Sequence, residues 1–227
     1  MKHYYSLFSG GFDSTLATLK EISENSPLKL TLVFCNYGQK SKEKEAEAVI
    51  QLLPYIKEFA RNTDKNTVAD DQVRTIKIED LFSWSQSSIL EGRSKEGDTG
   101  LENRNLILLS CLSSIIMADR EKSRHKEHVY IITGFTNTYY DTSLRFRDAI
   151  NAFFRATKQK IEVKTPLIPE GHKEAIDLDE LVKTAKSLNI LPLLDKMTWS
   201  CYFPENGNSC GTCDPCKKRR KISEALT

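Results

Sequence analysis

The chain has 227 residues, a length that suits one α/β domain with a small appendage better than two full domains. Hydrophobic residues make up 39% and charged residues 28%, and a formal net charge of +2 provides no overall field that would attract nucleic acid. The first residues resemble a strand rather than a signal peptide, and no apolar stretch is long enough to span a bilayer, so we expect a soluble, cytoplasmic protein without membrane partners.

Strand-like and helix-like segments alternate along the chain. Apolar or alternating runs predict five strands, at 4–8, 28–34, 73–78, 129–133 and 160–164. Helical patterns begin at about residue 13 and recur at 41–61, 103–120, 148–158 and 178–188. Pro54 predicts a kink or a break in the second helix, and the polar stretch 83–100 predicts a long loop of the kind that covers active sites. The alternation predicts an α/β fold, in which helices cover both faces of a mostly parallel, Rossmann-like sheet.

The strongest chemical signal follows the first strand, where the chain reads Ser-Gly-Gly-Phe-Asp-Ser. Gly10 and Gly11 allow a sharp turn that brings backbone N–H groups close to an anion, at the positive end of the next helix. Ser9 and Ser14 add hydroxyl donors, and Asp13 can cap the helix or hold Mg²⁺. A plain strand-to-helix turn is the alternative from local physics. The full string resembles the SGGxDS loop of the pyrophosphate-loop ATPases, and it is neither a Walker A motif nor a dinucleotide-binding GxGxxG.

Four of the six cysteines lie close together near the end of the sequence: Cys201, Cys210, Cys213 and Cys216. Four thiolates at this spacing are typical of a closed, structural Zn²⁺ site. An iron–sulfur cluster or four unliganded thiols are the alternatives. Cys35 and Cys111 lie alone in apolar segments, where a cysteine usually acts as a small buried hydrophobe.

Five cations follow the cysteines in the run 217–221. Such a run can contact nucleic acid. More often it is the solvated face of a helix, which is the interpretation favoured here because no aromatic residues are interleaved with the cations. A role as a zinc-containing nucleotide- or RNA-binding module stays open as an alternative.

Five further strings accompany the glycine loop: Asn36-Tyr37-Gly38-Gln39, Asn103-Arg104-Asn105, Thr133-Gly134, Thr165-Pro166-Leu167 and Thr198-Trp199-Ser200-Cys201-Tyr202. Their order and spacing resemble the 7-cyano-7-deazaguanine synthase family, one of the pyrophosphate-loop ATPase families, over nearly the whole chain. The family has a glycine where this chain has Asn103, and the lysine that follows the Thr-Pro-Leu string, Lys173, lies one residue late.

This resemblance implies an adenine nucleotide alpha hydrolase-like fold, with an ATP-binding domain over 1–195 and a zinc-binding segment over 196–227. The ATP site that it implies consists of Phe8, Ser9, Gly10, Gly11, Asp13, Ser14, Thr15 and Gly134. Catalytic roles are implied for Asp13, Arg104 and Lys173. Substrate-binding roles are implied for Tyr37, Gln39, Asn105, Asp141 and Arg147. The implied cofactors are ATP, Mg²⁺ and a structural Zn²⁺ held by Cys201, Cys210, Cys213 and Cys216, and the implied assembly is a homodimer.

Members of this family activate 7-carboxy-7-deazaguanine with ATP, let ammonia attack to form an amide, and dehydrate that amide to a nitrile with more ATP. A carboxylate is a poor electrophile, and adenylation supplies a leaving group. Arg104 could hold phosphate or carboxylate oxygens through two parallel hydrogen bonds, and Lys173 could add a second cation. Exposed, solvated side chains at both positions are the alternative.

The pattern departs from the family over 141–147, where this chain reads Asp-Thr-Ser-Leu-Arg-Phe-Arg. The family carries serine-glycine-tyrosine-proline-aspartate-cysteine-arginine there, and only Arg147 is retained. Arg145 and Phe146 replace the aspartate and cysteine, which changes the charge, size and hydrogen bonding of the pocket. Two ligase hypotheses follow. One is a nitrile-forming synthase with a rebuilt pocket, and the other is a repurposed relative that joins the acid to another amine, including one on a protein, in an antiviral-defence type of modification.

Overall fold

The structure is a computed structural model that describes residues 1–92, 100–123 and 127–226. Within these residues one parallel sheet contains six strands: β1 (Lys2–Leu7), β2 (Leu28–Asn36), β3 (Val68–Ala69), β4 (Arg74–Lys77), β5 (Val129–Ile132) and β6 (Ile161–Lys164). The order across the sheet is β3, β2, β1, β5, β6, and β4 pairs with β2 further along the edge that β3 occupies. The strand order therefore reverses at β1, which places a crevice beyond the carboxyl ends of β1 and β5.

Burial along β2 explains why the sheet forms the centre of the molecule. Six consecutive residues of this strand are buried, although successive side chains of a strand point to opposite faces. Both faces of the sheet are therefore covered, as expected for a parallel sheet. In β1, Tyr4 and Tyr5 are each 1% exposed, so the aromatic pair at the start of the chain is core rather than surface.

Seven α-helices surround the sheet within the described residues: α1 (Phe12–Asn25), α2 (Lys42–Thr63), α3 (Arg104–Ser123), α4 (Leu144–Ala156), α5 (Leu178–Ser187), α6 (Leu191–Met197) and α7 (Asp214–Glu224). The five predicted strands and five predicted helices are found, with α4 beginning four residues earlier than predicted, at Leu144. The pattern did not predict β3 and α6. They have two and seven residues, which are too few to establish a period.

The prediction of a kink or break at Pro54 is wrong as to the break, because α2 runs continuously from Lys42 to Thr63. Pro54 itself is exposed. Buried side chains lie on both sides of it along the helix, including Val49, Leu52 and Ile56. Packing of this apolar face against the core outweighs the single backbone hydrogen bond that the proline removes.

The described portion of the predicted loop 83–100 is partly buried against the rest of the protein. Leu90 forms an isolated antiparallel bridge with Gln39, and the N–H of Lys40 bonds to the carbonyl of Ile89 at 3.0 Å. Ser88, Ile89 and Leu90 are buried, so this portion packs against the turn that follows β2. Residues 93–99 lie outside the described residues, and a lid over the active site stays a prediction.

Among the described helices, none combines the length and hydropathy needed to cross a membrane.

Candidate active site and metal centre

A cavity of about 700 Å³ opens at the carboxyl ends of β1, β2 and β5. Its lining residues come from the loop between β1 and α1, the end of β2 and the turn after it, the starts of α2, α3 and α5, the segment after β5, and residues 199–222, which include the cysteine segment and part of α7. The loops after β1 and β5 lie where the strand order reverses, which is where parallel α/β sheets bind their ligands. The other stretches are brought there by tertiary packing.

The glycine loop is shaped by backbone contacts. Gly10 has a φ of +72°, and a Cβ atom there would lie 3.0 Å from the carbonyl oxygen of Glu45. Gly11 is the N-cap residue of α1, and no side-chain cap occupies the helix end. Because the first N–H groups of a helix have no intrahelical acceptor, this end can bind an anion. Phe8, Ser9, Gly11, Asp13 and Ser14 all line the cavity.

The two serines of the loop hold each other in place. The Ser9 and Ser14 hydroxyl oxygens lie 3.0 Å apart, and the N–H of Gly11 donates to the Ser9 oxygen at 3.3 Å. Thr15 is fully buried, and its hydroxyl donates to the Gly11 carbonyl at 2.8 Å. Gly10 and Thr15 are outside the cavity lining. These two residues shape the loop, while the others of the predicted set face the cavity.

Gly134, at the end of β5, packs directly against the first turn of α1. A Cβ atom at this position would lie 2.7 Å from the backbone nitrogen of Ser14 and 2.8 Å from the carbonyl carbon of Asp13. Neither contact can be relieved by a side-chain rotation, because both partners are main-chain atoms. The position requires glycine for close approach of the two segments.

Lys218 reaches this loop from α7. Its ammonium group donates to both carboxylate oxygens of Asp13, at 2.9 and 3.0 Å. The interpretation of the run 217–221 as a solvated helix face is therefore wrong for Lys218. It is also wrong for Arg219, which donates to the carbonyls of Leu194 at 2.8 Å and Thr198 at 2.8 Å. No sequence pattern indicates these contacts, because they join residues far apart in the chain.

Arg104 and Tyr37 also line the cavity. The Arg104 guanidinium lies 5.7 Å from the centre of the Tyr37 ring, and its Nη1 donates to the Tyr37 hydroxyl at 3.4 Å. Burial raises the pKa of Tyr37, so the phenol stays protonated, and the neighbouring Tyr37 raises the pKa of Arg104. Arg104 thus presents a fixed positive charge to the cavity.

Glu45 is a cavity residue that the sequence analysis missed. It accepts hydrogen bonds from the Ser41 hydroxyl at 2.6 Å and the Gln39 amide at 2.8 Å. Burial raises the pKa of Glu45, and the two hydrogen bonds act in the opposite direction. Glu45 is one of two acidic residues in the first turn of α2, where negative charge is favourable, so the sequence pattern alone does not distinguish it as a cavity residue. A carboxylate with a raised pKa beside Arg104 can exchange protons with a ligand.

Gln39 shapes the turn after β2 and is absent from the cavity lining. Its amide oxygen accepts from the N–H of Tyr37 at 2.9 Å, and its amide nitrogen donates to the carbonyl of Cys35 at 3.1 Å and to Glu45. Gln39 is 1% exposed. The geometry offers no route for direct contact with a ligand, and this residue instead positions Tyr37 and Glu45.

Asn105 lines the cavity and is held by Asp141. The Asn105 amide donates to the Asp141 carboxylate at 2.9 Å and to its backbone carbonyl at 3.2 Å. Asp141 itself is not among the lining residues. The pair ties the start of α3 to the segment after β5, and Tyr139 stands at the cavity edge with 68% of its surface exposed.

Two predicted residues lie away from this cavity. Arg147 pairs with Glu170 at 2.6 Å and with Asp148 at 2.7 Å, beside a smaller cavity of about 350 Å³ along β6. Lys173 is exposed in the connection between β6 and α5 and does not line the main cavity. Arg147 faces β6 because it lies in the first turn of α4, which packs against that strand. The structure therefore does not bring these two residues to Arg104 and Asp13.

The four clustered cysteines converge on one point. Their sulfur atoms all lie within 4.8 Å of one another: Cys201, Cys210, Cys213 and Cys216. Gly211, with a φ of +72°, provides the turn between the second and third ligand, and α7 begins immediately after Cys213. Four thiols this close can hold a metal ion.

The cysteine segment is joined to the glycine loop by a backbone hydrogen bond. The N–H of Trp199 donates to the carbonyl of Gly10 at 2.9 Å, and the Trp199 indole donates to the carbonyl of Cys201 at 2.8 Å. Trp199, Ser200, Tyr202 and Phe203 line the cavity. The four-cysteine cluster therefore lies next to one side of the cavity.

Known proteins resemble this chain over nearly its whole length. Residues 4–226 match the family model described as "Queuosine biosynthesis protein QueC". A 7-cyano-7-deazaguanine synthase from Nautilia profundicola is 29% identical over 97% of this chain and 93% of that protein, and one from Methanosarcina barkeri is 26% identical over 95% and 90%. A solved structure, the U34-tRNA thiolase NcsA from Methanococcus maripaludis with its [4Fe-4S] cluster, covers 99% of this chain and 65% of that one, at 15% identity and a TM-score of 0.43.

Proposed function

Because the chain belongs to the QueC family of queuosine biosynthesis proteins, we propose that it is an ATP-dependent carbon–nitrogen ligase. Its substrate in this proposal is 7-carboxy-7-deazaguanine, and its product with ammonia is 7-cyano-7-deazaguanine. The observation that carries the proposal is a single cavity lined both by an open helix end and by Arg104. The first can hold the phosphates of ATP, and the second can hold a carboxylate.

The first step joins the acid to the nucleotide. A carboxylate oxygen attacks the α-phosphorus of ATP, the bond to the β-phosphate breaks, and pyrophosphate leaves. Backbone N–H groups of Gly11 and the first turn of α1 stabilise the charge that develops on the phosphates. Mg²⁺ held beside Asp13 would offset part of that charge.

The second step forms the amide. Ammonia attacks the carbonyl carbon of the acyl adenylate, the nitrogen gives up a proton, and AMP leaves. We assign Glu45 as the acceptor of that proton, because its carboxylate faces the cavity and burial raises its pKa. The amide oxygen then attacks the α-phosphorus of a second ATP and pyrophosphate leaves. Loss of both N–H protons and of AMP, which carries away the former amide oxygen, leaves the nitrile.

The proposal is tested by incubating the protein with ATP, Mg²⁺, ammonia and 7-carboxy-7-deazaguanine, followed by mass spectrometry of the base and nucleotide products. We expect acid-dependent AMP and a nitrile. A matched sample with Arg104→Met should bind ATP but form both products about 100-fold more slowly. No acid-dependent turnover by the unaltered protein would reject the assignment of this acid.

A second candidate differs in the amine. Tyr139 and Tyr140 are 68% and 65% exposed, so the segment after β5 leaves large aromatic surfaces beside the cavity entrance. Exposed aromatic side chains are favourable contact surfaces for a polypeptide. The alternative proposal is that the adenylated acid is transferred to an amine on another protein. Acid-dependent AMP release without nitrile would favour it, and release of nitrile would reject it.

For the metal centre we propose a structural Zn²⁺. Tetrahedral Zn²⁺ with Zn–S bonds of about 2.3 Å holds its sulfur atoms roughly 3.8 Å apart, compatible with four sulfurs within 4.8 Å of one another. An iron–sulfur cluster places several iron atoms between its thiolates, which then stand further apart. Metal analysis of the purified protein should return one zinc per chain, and iron with acid-labile sulfide would reject zinc.

Three further expectations stay predictions. The homodimer, the contact of Lys173 with a ligand and the role of Arg147 in substrate binding each need a separate measurement. Lys173 and Arg147 do not line the main cavity. Each could contact a ligand there only if the segment that carries it moved.

A further inference from the structure

The basic run 217–221 is not a uniform charged surface, because its members have different partners. Lys217 bonds to Asp214 at 3.1 Å on the outside of α7. Arg220 donates to a carbonyl of the cysteine loop at 3.3 Å, and Arg219 donates to carbonyls at the end of α6. Lys218 is the member of these four whose side chain bonds to the glycine loop.

Lys218 and Asp13 form an ion pair inside the cavity. Both residues line it, and their side chains are 33% and 32% exposed. Ion pairs with this degree of exposure contribute little to the stability of a fold. The position of the pair is therefore more informative than its energy. It lies at the helix end where an anion can bind.

Electrostatics give a reason for a lysine here. The triphosphate of ATP is a polyanion, and the Asp13 carboxylate alone would repel it from the end of α1. The Lys218 ammonium cancels that charge before a ligand arrives. A lysine side chain is long and flexible, so it can leave a carboxylate for a phosphate within reach without movement of its helix.

The helix that carries Lys218 is fixed on both sides of this residue. Cys216 belongs to the four-cysteine cluster, and Arg219 is bonded to two carbonyls of α6. These anchors set the rotation of α7 and direct Lys218 towards the loop. A cation supplied by a held element is a pre-organised part of a binding site.

We propose that Lys218 is a phosphate-binding residue of the nucleotide site. Asp13 holds its ammonium group beside the loop in the absence of nucleotide, and the phosphates of ATP take it over when they bind. The nucleotide is the one invoked in the proposed function, on which this step rests.

The first experiment compares ATP affinity by calorimetry for the full chain, Lys218→Met and Lys217→Met. Both variants remove one positive charge from the same helix, but only Lys218 faces the cavity. We expect Lys218→Met to weaken ATP binding about 10- to 100-fold, the size of one charge-assisted hydrogen bond. Lys217→Met should stay within about twofold. If the two variants bind ATP with equal affinity, the role of Lys218 is wrong but the proposed function stands. If the unaltered chain does not bind ATP, the proposed function is wrong as well.

A second pair of variants separates phosphate contact from simple neutralisation of Asp13. In an Asp13→Asn background there is no carboxylate to neutralise, and Lys218→Met should still weaken ATP binding about tenfold. If its effect disappears there, Lys218 acts only through Asp13 and the proposal is wrong. Lys218→Arg keeps a cation and should recover most of the affinity. A correctly folded Lys218→Arg that binds as weakly as Lys218→Met would also contradict phosphate contact.

Discussion

The two walls of the cavity are built in different ways. The phosphate-loop wall, residues 8–14 with Gly134, is fixed by main-chain contacts, and a methyl group at Gly134 would lie 2.7 Å from a backbone nitrogen. The side-chain wall, formed by Tyr37, Arg104, Asn105 and Tyr139, is fixed by side-chain hydrogen bonds and ring contacts. Its Arg104–Tyr37 hydrogen bond is 3.4 Å long.

The two walls therefore differ in what a substitution would alter. Substitutions in the phosphate-loop wall move the backbone, so they affect folding and anion binding together. Substitutions in the side-chain wall alter the charge and shape presented to a ligand while the backbone stays in place. We therefore expect the nucleotide half of the site to tolerate little change, and the acid half to be the place where specificity is set.

Removing the metal should break both walls, since Trp199 bonds to Gly10 and Tyr202 lies close enough to Arg104 to interact with it electrostatically. Treatment with a strong chelator is expected to lower the melting temperature by roughly 10 °C or more and to abolish ATP binding. Calorimetry before and after restoring zinc measures both effects. Retention of ATP affinity by the metal-free chain would contradict a supporting role for the cluster.

Gly134→Ala should damage the phosphate-loop wall specifically. The added methyl group meets the main chain of Ser14, so we expect a loss of about 3 kcal/mol in the free energy of unfolding and a large loss of ATP affinity. Gly11→Ala is the matched control, because its Cβ atom would meet only the Ser9 hydroxyl at 3.2 Å and a carbonyl at 3.4 Å. Denaturant unfolding measures the stability of the two variants, and calorimetry measures their ATP affinity. A larger loss of stability in Gly11→Ala than in Gly134→Ala would refute the argument from backbone contacts.

Arg104→Met should affect only the side-chain wall. The acid loses its cationic partner, and we expect acid-dependent AMP release to fall about 100-fold while ATP affinity changes by less than about twofold. Arg104→Lys keeps the charge but loses the paired donors, so its rate should be intermediate. Steady-state kinetics of AMP release provide the comparison. A parallel loss of ATP affinity would show that the walls are not independent.

Glu45 lies between the walls and should make the reaction pH-dependent. Only the ionised carboxylate accepts a proton, so acid-dependent turnover should fall as the pH drops through the raised pKa of Glu45. Glu45→Gln should lower the rate about 100-fold and flatten that pH profile.

The effect of Glu45 on stability depends on pH in the direction opposite to its effect on turnover. A carboxyl group whose folded-state pKa is raised favours folding when protonated, so its contribution to stability is lost as the pH rises through that pKa. Glu45→Gln removes this loss and should be at least as stable as the unaltered chain at pH 8. A less stable variant would indicate that Glu45 has mainly a structural role.

Tyr139→Ala should have the smallest effect. The side chain is 68% exposed, so stability should change by less than about 0.5 kcal/mol. With ammonia as acceptor we expect less than about a threefold change in rate. A much larger defect with a protein acceptor than with ammonia would assign this aromatic surface to recognition of the acceptor.

The sequence could predict the phosphate-loop wall because its information is local. The glycines, serines and aspartate of the loop lie within six consecutive positions, and two residues separate each of the last three cysteines from the next. A short string therefore determines the main features of each geometry. The parallel sheet was predictable for a similar reason, since buried strands are continuous apolar runs.

The side-chain wall and the role of Lys218 could not be predicted in the same way. Lys218 and Asp13 are 205 residues apart, and nothing in a basic run distinguishes the member that faces inward. The opposite error occurs at Gln39, which was predicted to bind substrate. Its side-chain oxygen and nitrogen are both bonded to other protein groups. Tertiary packing decides both cases.

The hydrogen bond between Trp199 and Gly10 has a consequence for biosynthesis. A nascent chain that has emerged as far as β6 already contains every strand of the described sheet, yet it lacks the Trp199 N–H that donates to the Gly10 carbonyl and the Lys218 ammonium beside Asp13. Because domains begin to fold during synthesis, the sheet can form before the cavity at its edge is built. The partly translated chain would then be a folded intermediate, and translation of the cysteine segment and α7 would add the last lining residues of the cavity.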